Sequence, residues 1–138
     1  MKNKFILILF FVITQSIFSQ KTEIKVVFDV TSKNVKTHQM TVRHVELMSN
    51  SYPDSQFEVV LYGGSIEMAL NEKSTVKNAI QLLSKKDNID FVICEASMRK
   101  HKVEKQDLIE GFKIVPDGIL EIVEKQQNGW GYIKEAHQ

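Results

Sequence analysis

The chain holds one cysteine, two prolines, six glycines and one tryptophan among its 138 residues. With Cys94 as the lone cysteine, no intramolecular disulfide can form. No low-complexity tract, internal repeat or proline- and glycine-rich linker divides the sequence, which excludes a fibrous repeat and a string of small modules. Charge of one sign is also missing. Lys+Arg 18 stands against Asp+Glu 17, so there is no global electrostatic footprint for nucleic acid. Long apolar runs are absent as well. The longest, Phe5 to Ile13, has nine residues and would rise about 13.5 Å as a helix, against the roughly 30 Å needed for a stable membrane span. What remains is an average globular balance, 43% hydrophobic and 25% charged, in a length that suits one domain.

The first residues read as an address. Lys2 and Lys4 precede the apolar run, and Thr14, Gln15 and Ser16 end it. This pattern predicts a secretory signal over residues 1–19, with cleavage after Ser19 and a single mature domain over 20–138. The expected location is periplasmic or secreted. No cysteine directly follows the run, so a lipid-modified cysteine anchor is not expected. An odd cysteine in an exported protein implies intermolecular pairing or a free thiol.

The mature sequence alternates between strand and helix periods. The β-branched run over 24–30 predicts a strand buried on both faces. A helix is predicted over 37–52, where Thr41, Val45, Met48 and Tyr52 share a face. A second strand is expected over 57–62, ended by Gly63-Gly64, then one or two helical turns over 65–70. A helix over 75–85 presents Val76, Ala79, Ile80 and Leu83. The most continuously apolar strand follows at 91–94, then a short helix over 96–102, a strand at 112–115 and a helix over 119–127. Asp117 is the candidate N-cap of that last helix, and a final strand is expected over 130–134. This order argues for an α/β fold with a mainly parallel five-stranded sheet and helices on both faces.

Ligands in such sheets gather beyond the carboxyl ends of the strands. Four segments meet there: Asp29 to Ser32, Gly63-Gly64-Ser65, Cys94 to Ser97, and Pro116-Asp117-Gly118. Cys94 lies at a strand end before a predicted helix, where free N–H groups favour a thiolate. Arg99, Lys100, His101, Lys102 and Lys105 make the next segment a basic rim suited to an anionic sulfur compound or an acidic partner. Cys94, Met98 and His101 recur at helical spacing, which leaves monovalent copper as an alternative. No phosphate-loop signature, paired carboxylates or Ser/His/Asp arrangement occurs in a supporting context.

Several stretches resemble the DsrE/DsrF-like family, linked to sulfur oxidation and sulfur relay. They are Lys25-Val26-Val27-Phe28-Asp29, Tyr62-Gly63-Gly64, Phe91-Val92-Ile93-Cys94 with Met98, the tail Gly111-Phe112-Lys113-Ile114-Val115-Pro116-Asp117-Gly118, and Gln127-Asn128-Gly129-Trp130-Gly131-Tyr132-Ile133. The resemblance implies a three-layer α/β/α domain assembled as a trimer or hexamer. It also implies a cysteine that passes sulfane sulfur as a persulfide, at the position of Cys94. Relatives often carry Asn and Thr or Ser after that cysteine and His at the position of Tyr62; here Glu95-Ala96-Ser97 and a tyrosine stand instead.

The leading expectation is therefore an exported sulfane sulfur carrier that uses Cys94, without cofactor or resident metal, meeting a sulfur donor or acceptor protein. Asp29, Gly63, Gly64, Ser65, Ser97 and Arg99 are the candidate binding residues around it. The alternative from another class is a non-catalytic oligomeric module holding a small ligand at Gly63, Gly64 and Ser65, with copper binding third. Contacts between copies are expected from Met40 and Leu47, opposite Val45 and Met48 on one helix, and from Trp130, Tyr132 and Ile133.

Overall fold

The computed structural model describes residues 23–136, so the expected signal segment lies outside the described residues. Five strands form, β1 (Lys25–Val30), β2 (Gln56–Leu61), β3 (Ile89–Cys94), β4 (Phe112–Val115) and β5 (Gly131–Glu135). Four α-helices intervene, α1 (Val35–Ser51), α2 (Lys77–Leu83), α3 (Glu95–His101) and α4 (Gly118–Gln127), with 3-10 turns at Gly63–Ala69 and Lys105–Asp107. All four strand pairings are parallel, in the order β4-β3-β2-β1-β5.

That order dictates the layers. From β1 to β4 the chain steps in one direction across the sheet, and parallel crossovers keep one hand, so α1, α2 and α3 cover one face. The step from β4 to β5 reverses direction and sends α4 to the other face. Alternation along the strands divides the core accordingly. Val26, Phe28 and Val30 join Val42, Val45, Ile80, Leu83 and Met98 in a large cluster, whereas Val27, Val60 and Val92 meet Ile122 of α4 in a small one.

Local chemistry shifts several boundaries from the sequence expectation. Helix α1 starts earlier because the Asn34 side chain caps it, accepting from the Lys36 N–H at 2.9 Å. Its inner face is more polar than periodicity suggests, burying Thr37, His38, Thr41 and Ser49, while Tyr52 is an exposed C-cap. Helix α2 is shorter than expected, since Val76 sits at its N-cap and Ser84 at its C-cap. Helix α3 begins at Glu95, directly after the strand, and β3 extends back to Ile89. Asp117 caps α4 as expected, accepting from Ile119 and Leu120.

Candidate functional site

The site lies where the sheet changes direction. Adjacent strands β3 and β4 end side by side, with Cys94 opposite Val115, but their following helices leave on opposite faces. In open α/β sheets such a switch point is where ligands are received. Cys94 is both the last residue of β3 and the N-cap of α3, with its side chain on the α4 face of the sheet.

Burial alone would push the Cys94 thiol up, because a thiolate loses its hydration. Hydrogen bonds outweigh that effect. Backbone N–H groups of Gly118, Ser97 and Ala96 and the Ser97 hydroxyl favour the thiolate, and the thiol is held below its ordinary value. Ser97 is itself oriented. Its Oγ accepts the Gly63 N–H at 2.9 Å, which leaves its hydrogen free to point at Cys94.

Glycines make this convergence possible. Gly63 turns the chain with φ +62°, a left-handed conformation that side chains resist. At Gly118 the backbone comes so close that a Cβ would lie 3.2 Å from the Cys94 Cβ and 3.3 Å from the Tyr62 Cβ. The start of α4 therefore packs directly against Cys94, with no side chain between them.

Beside the thiol is a second polar group centred on Asp29 of β1, which is buried. Tyr132 and Lys134 of β5 donate to it at 2.7 and 2.9 Å, and Tyr62 donates at 3.4 Å. Lys134 also donates to Thr31 Oγ1 at 2.7 Å, and its ammonium lies 5.7 Å from the centre of the Tyr62 ring. The hydrogen bond to Asp29, with burial and the Asp29 charge, pushes Tyr132 up to about 12. Tyr62 is also raised, first by burial and then by Asp29, with a further contribution from Cys94. Tyr62 thus stands between the thiol and the carboxylate, its ring beside Gly118 and its hydroxyl toward Asp29.

Of the residues picked out from the sequence, Cys94, Ser97 and Gly63 come together directly. Gly64 and Ser65 support them from behind. A Cβ on Gly64 would meet the Thr31 carbonyl at 2.9 Å, and the fully buried Ser65 hydroxyl is shared between the Val30 and Tyr62 carbonyls at 2.7 and 2.9 Å. Asp29 is linked to the site through Tyr62. Arg99 lies apart, on exposed surface, donating to Glu95 at 2.7 Å. Lys100, His101, Lys102 and Lys105 are exposed too.

Gly118 lies in one of the four segments that the sequence placed at this edge of the sheet, but its contact with Cys94 requires knowing that β3 and β4 are adjacent. Sequence reasoning did not find Tyr132 or Lys134 as neighbours of Asp29. Met98 is buried in the large core cluster while His101 is exposed. Among the described residues no group of three or more His, Cys, Asp or Glu side chains is placed to hold a metal ion.

The family model described as the DsrE/DsrF-like family matches residues 25–134, nearly the whole described domain. The chain belongs to this family. Among solved structures it is similar to the protein of unknown function MTH1491 from Methanobacterium thermoautotrophicum, with TM-score 0.76 and 23% identity over 81% of this chain and 99% of that one. It also resembles the conserved protein of unknown function BT1422 from Bacteroides thetaiotaomicron, with TM-score 0.66 and 17% identity over 80% and 93%. A third match is the ychN protein from E. coli, with TM-score 0.68 and 9% identity over 82% and 99%. At these identities the likeness establishes the three-layer α/β/α fold. No curated protein matches the chain.

Proposed function

We propose that this family member is an exported carrier of sulfane sulfur, with Cys94 as the acceptor. One observation carries the reading: the single cysteine ends β3 at the sheet's switch point, packed against Gly118 at the start of α4, and its thiol is held below the ordinary value there. Such surroundings favour an anionic sulfur, whether thiolate or persulfide. In the transfer, the Cys94 thiolate attacks the outer sulfur of a donor persulfide. A new S–S bond forms at Cys94, the donor's S–S bond breaks, and the departing thiolate keeps the electron pair. No net oxidation occurs, so no cofactor is required. Passing the sulfur onward repeats the step with an acceptor thiolate.

The secretory reading rests on Lys2, Lys4 and the apolar run that follows, and it places the mature chain in the periplasm or outside the cell. Among the described residues no helix is long and apolar enough to cross a membrane. Assembly into a trimer or hexamer belongs to the same proposal, supported by the apolar surface of α4.

Intact-mass measurement of protein from its native cells, before and after incubation with a persulfide donor, tests the reading. The expected results are a chain starting near Gln20 and an adduct of about 32 Da that is absent in Cys94→Ser. No adduct at any donor concentration would overturn the carrier, and an intact Met1 would overturn export.

A further inference from the structure

The loop ends around Cys94 do not explain what holds α4 against the thiol. Of its ten residues only Gly118 and Ile122 are buried, while Ile119, Leu120 and Val123 are exposed. Apolar contact with the sheet is therefore narrow. At the far end of the helix is a polar contact of a different kind. Lys125 donates to Glu58 of β2 at 2.5 Å, and the Glu58 side chain is only 3% exposed. The same ammonium lies 3.5 Å from Glu121, one turn back, and 4.5 Å above the Trp130 ring. The second Glu58 oxygen, Oε1, is buried without a hydrogen-bond partner.

An ion pair that leaves a buried oxygen unpaired is a poor source of stability, because desolvation opposes the attraction. Such pairs are better suited to fixing one arrangement among several. We propose that the Glu58, Lys125 and Glu121 cluster is an anchor that sets the seat of α4, making Glu58 and Lys125 positioning residues for the Cys94 thiol. The connection is mechanical. An α-helix moves as a unit over ten residues, so releasing its Lys125 end tilts the Gly118 end. Gly118 has no side chain to wedge it in place, and its close approach to Cys94 depends on the helix staying seated.

The groups facing Glu58 fix how the anchor responds to protons. From α4 come Lys125 and Glu121. From β3 comes Asp90, its register partner, which is held by Lys113 of β4 at 2.6 Å. From β1 the register partner is the neutral Val27, and Lys25 lies further along beside Gln56. Burial is the largest influence on Glu58 and, with Glu121 against the opposing pull of Lys125, brings its carboxyl up to about 7. Protonation of Glu58 removes its charge attraction to Lys125 and so loosens the anchor.

The inference rests on Cys94 as the reacting group, but its test reads the thiol itself rather than sulfur transfer. Thiolate absorbance and iodoacetamide alkylation would be followed against pH for the full mature chain and its Glu58→Gln, Lys125→Met and Lys125→Arg variants. Glu58→Gln and Lys125→Met are expected to raise the thiol pKa, lowering the thiolate fraction at a fixed pH about threefold. Lys125→Arg, which keeps the cation, should stay close to the parent. An unchanged thiol titration in folded Glu58→Gln and Lys125→Met overturns the anchor.

Should either variant fail to fold, the parent protein decides. Its thiolate curve is expected to carry a second inflection near pH 7, where Glu58 ionises, and a single-proton curve overturns the proposal. Shifted titrations in a chain that accepts no sulfane sulfur would remove the carrier and leave the anchor. Sulfur loading with unshifted titrations would do the reverse.

Discussion

At Cys94 the competition is between burial and hydrogen bonding, and the balance depends on single groups. Ser97 serves two of them, accepting from Gly63 and donating to the sulfur. Ser97→Ala is expected to raise the thiol pKa and leave the Gly63 N–H without its partner, at a stability cost of about 1 kcal/mol. Thiolate titration and urea denaturation measure the two effects separately, and an unchanged thiol pKa would mean that the hydroxyl does not act on the sulfur. The cysteine itself was legible in the sequence, because it ends an apolar run just where a helix begins. Its donors were only half legible. Ala96 and Ser97 follow it in sequence, but Gly118 reaches it from the next strand's connection. Arg99 illustrates the converse error of proximity in sequence. It follows Cys94 closely, yet helical spacing turns it toward Glu95 instead of the thiol.

At the scale of elements, periodicity revealed which segments are strands and helices but not their neighbours. Strand β5 pairs with β1, the first of the described strands, and this pairing brings Tyr132 and Lys134 to Asp29. Likewise Glu58 reads in sequence as a polar interruption in a strand, and only the return of α4 over that face buries it. Its burial has a consequence for stability. The folded state holds a proton on Glu58 between its ordinary value of 4.5 and about 7, where the unfolded chain has already lost it. Stability therefore falls as pH rises through that window, since the native state binds more protons there. The expected loss is on the order of 1–3 kcal/mol, and Glu58→Gln should flatten it. Lys125 is also raised, so its own contribution disappears only as pH climbs past its ordinary 10.5, outside this range. Denaturation midpoints of parent and variant across the window give the slopes. A parent whose stability does not fall between those limits would show that Glu58 is ionised throughout.

For the whole molecule, the strand order leaves the two faces of the sheet unequally covered. Among the described residues three helices shield one face and α4 alone shields the other, which is why the second core cluster is small. Interfaces between copies were expected from α1 and the C-terminal tail. Leu47 is indeed exposed, but Trp130 and Ile133 pack against the chain's own clusters. The larger apolar surface is on α4, where Ile119 is 60% and Leu120 54% exposed beside Val123, with Tyr132 exposed on the same face of the sheet. Its amphipathic period hid this from the sequence, because a helix over a parallel sheet is expected to bury its apolar residues inward. Contiguous apolar side chains at this density suit a partner surface. Ile119 and Leu120 directly follow Gly118, so a second subunit docked there would border the Cys94 site and limit which donors reach it. Light scattering of the mature chain over a range of concentrations is expected to give a trimer or hexamer, and Leu120→Glu to shift it toward single subunits by placing charge in the contact. A parent mass of one subunit at high protein concentration would overturn the assembly and leave the Cys94 site built from one chain alone.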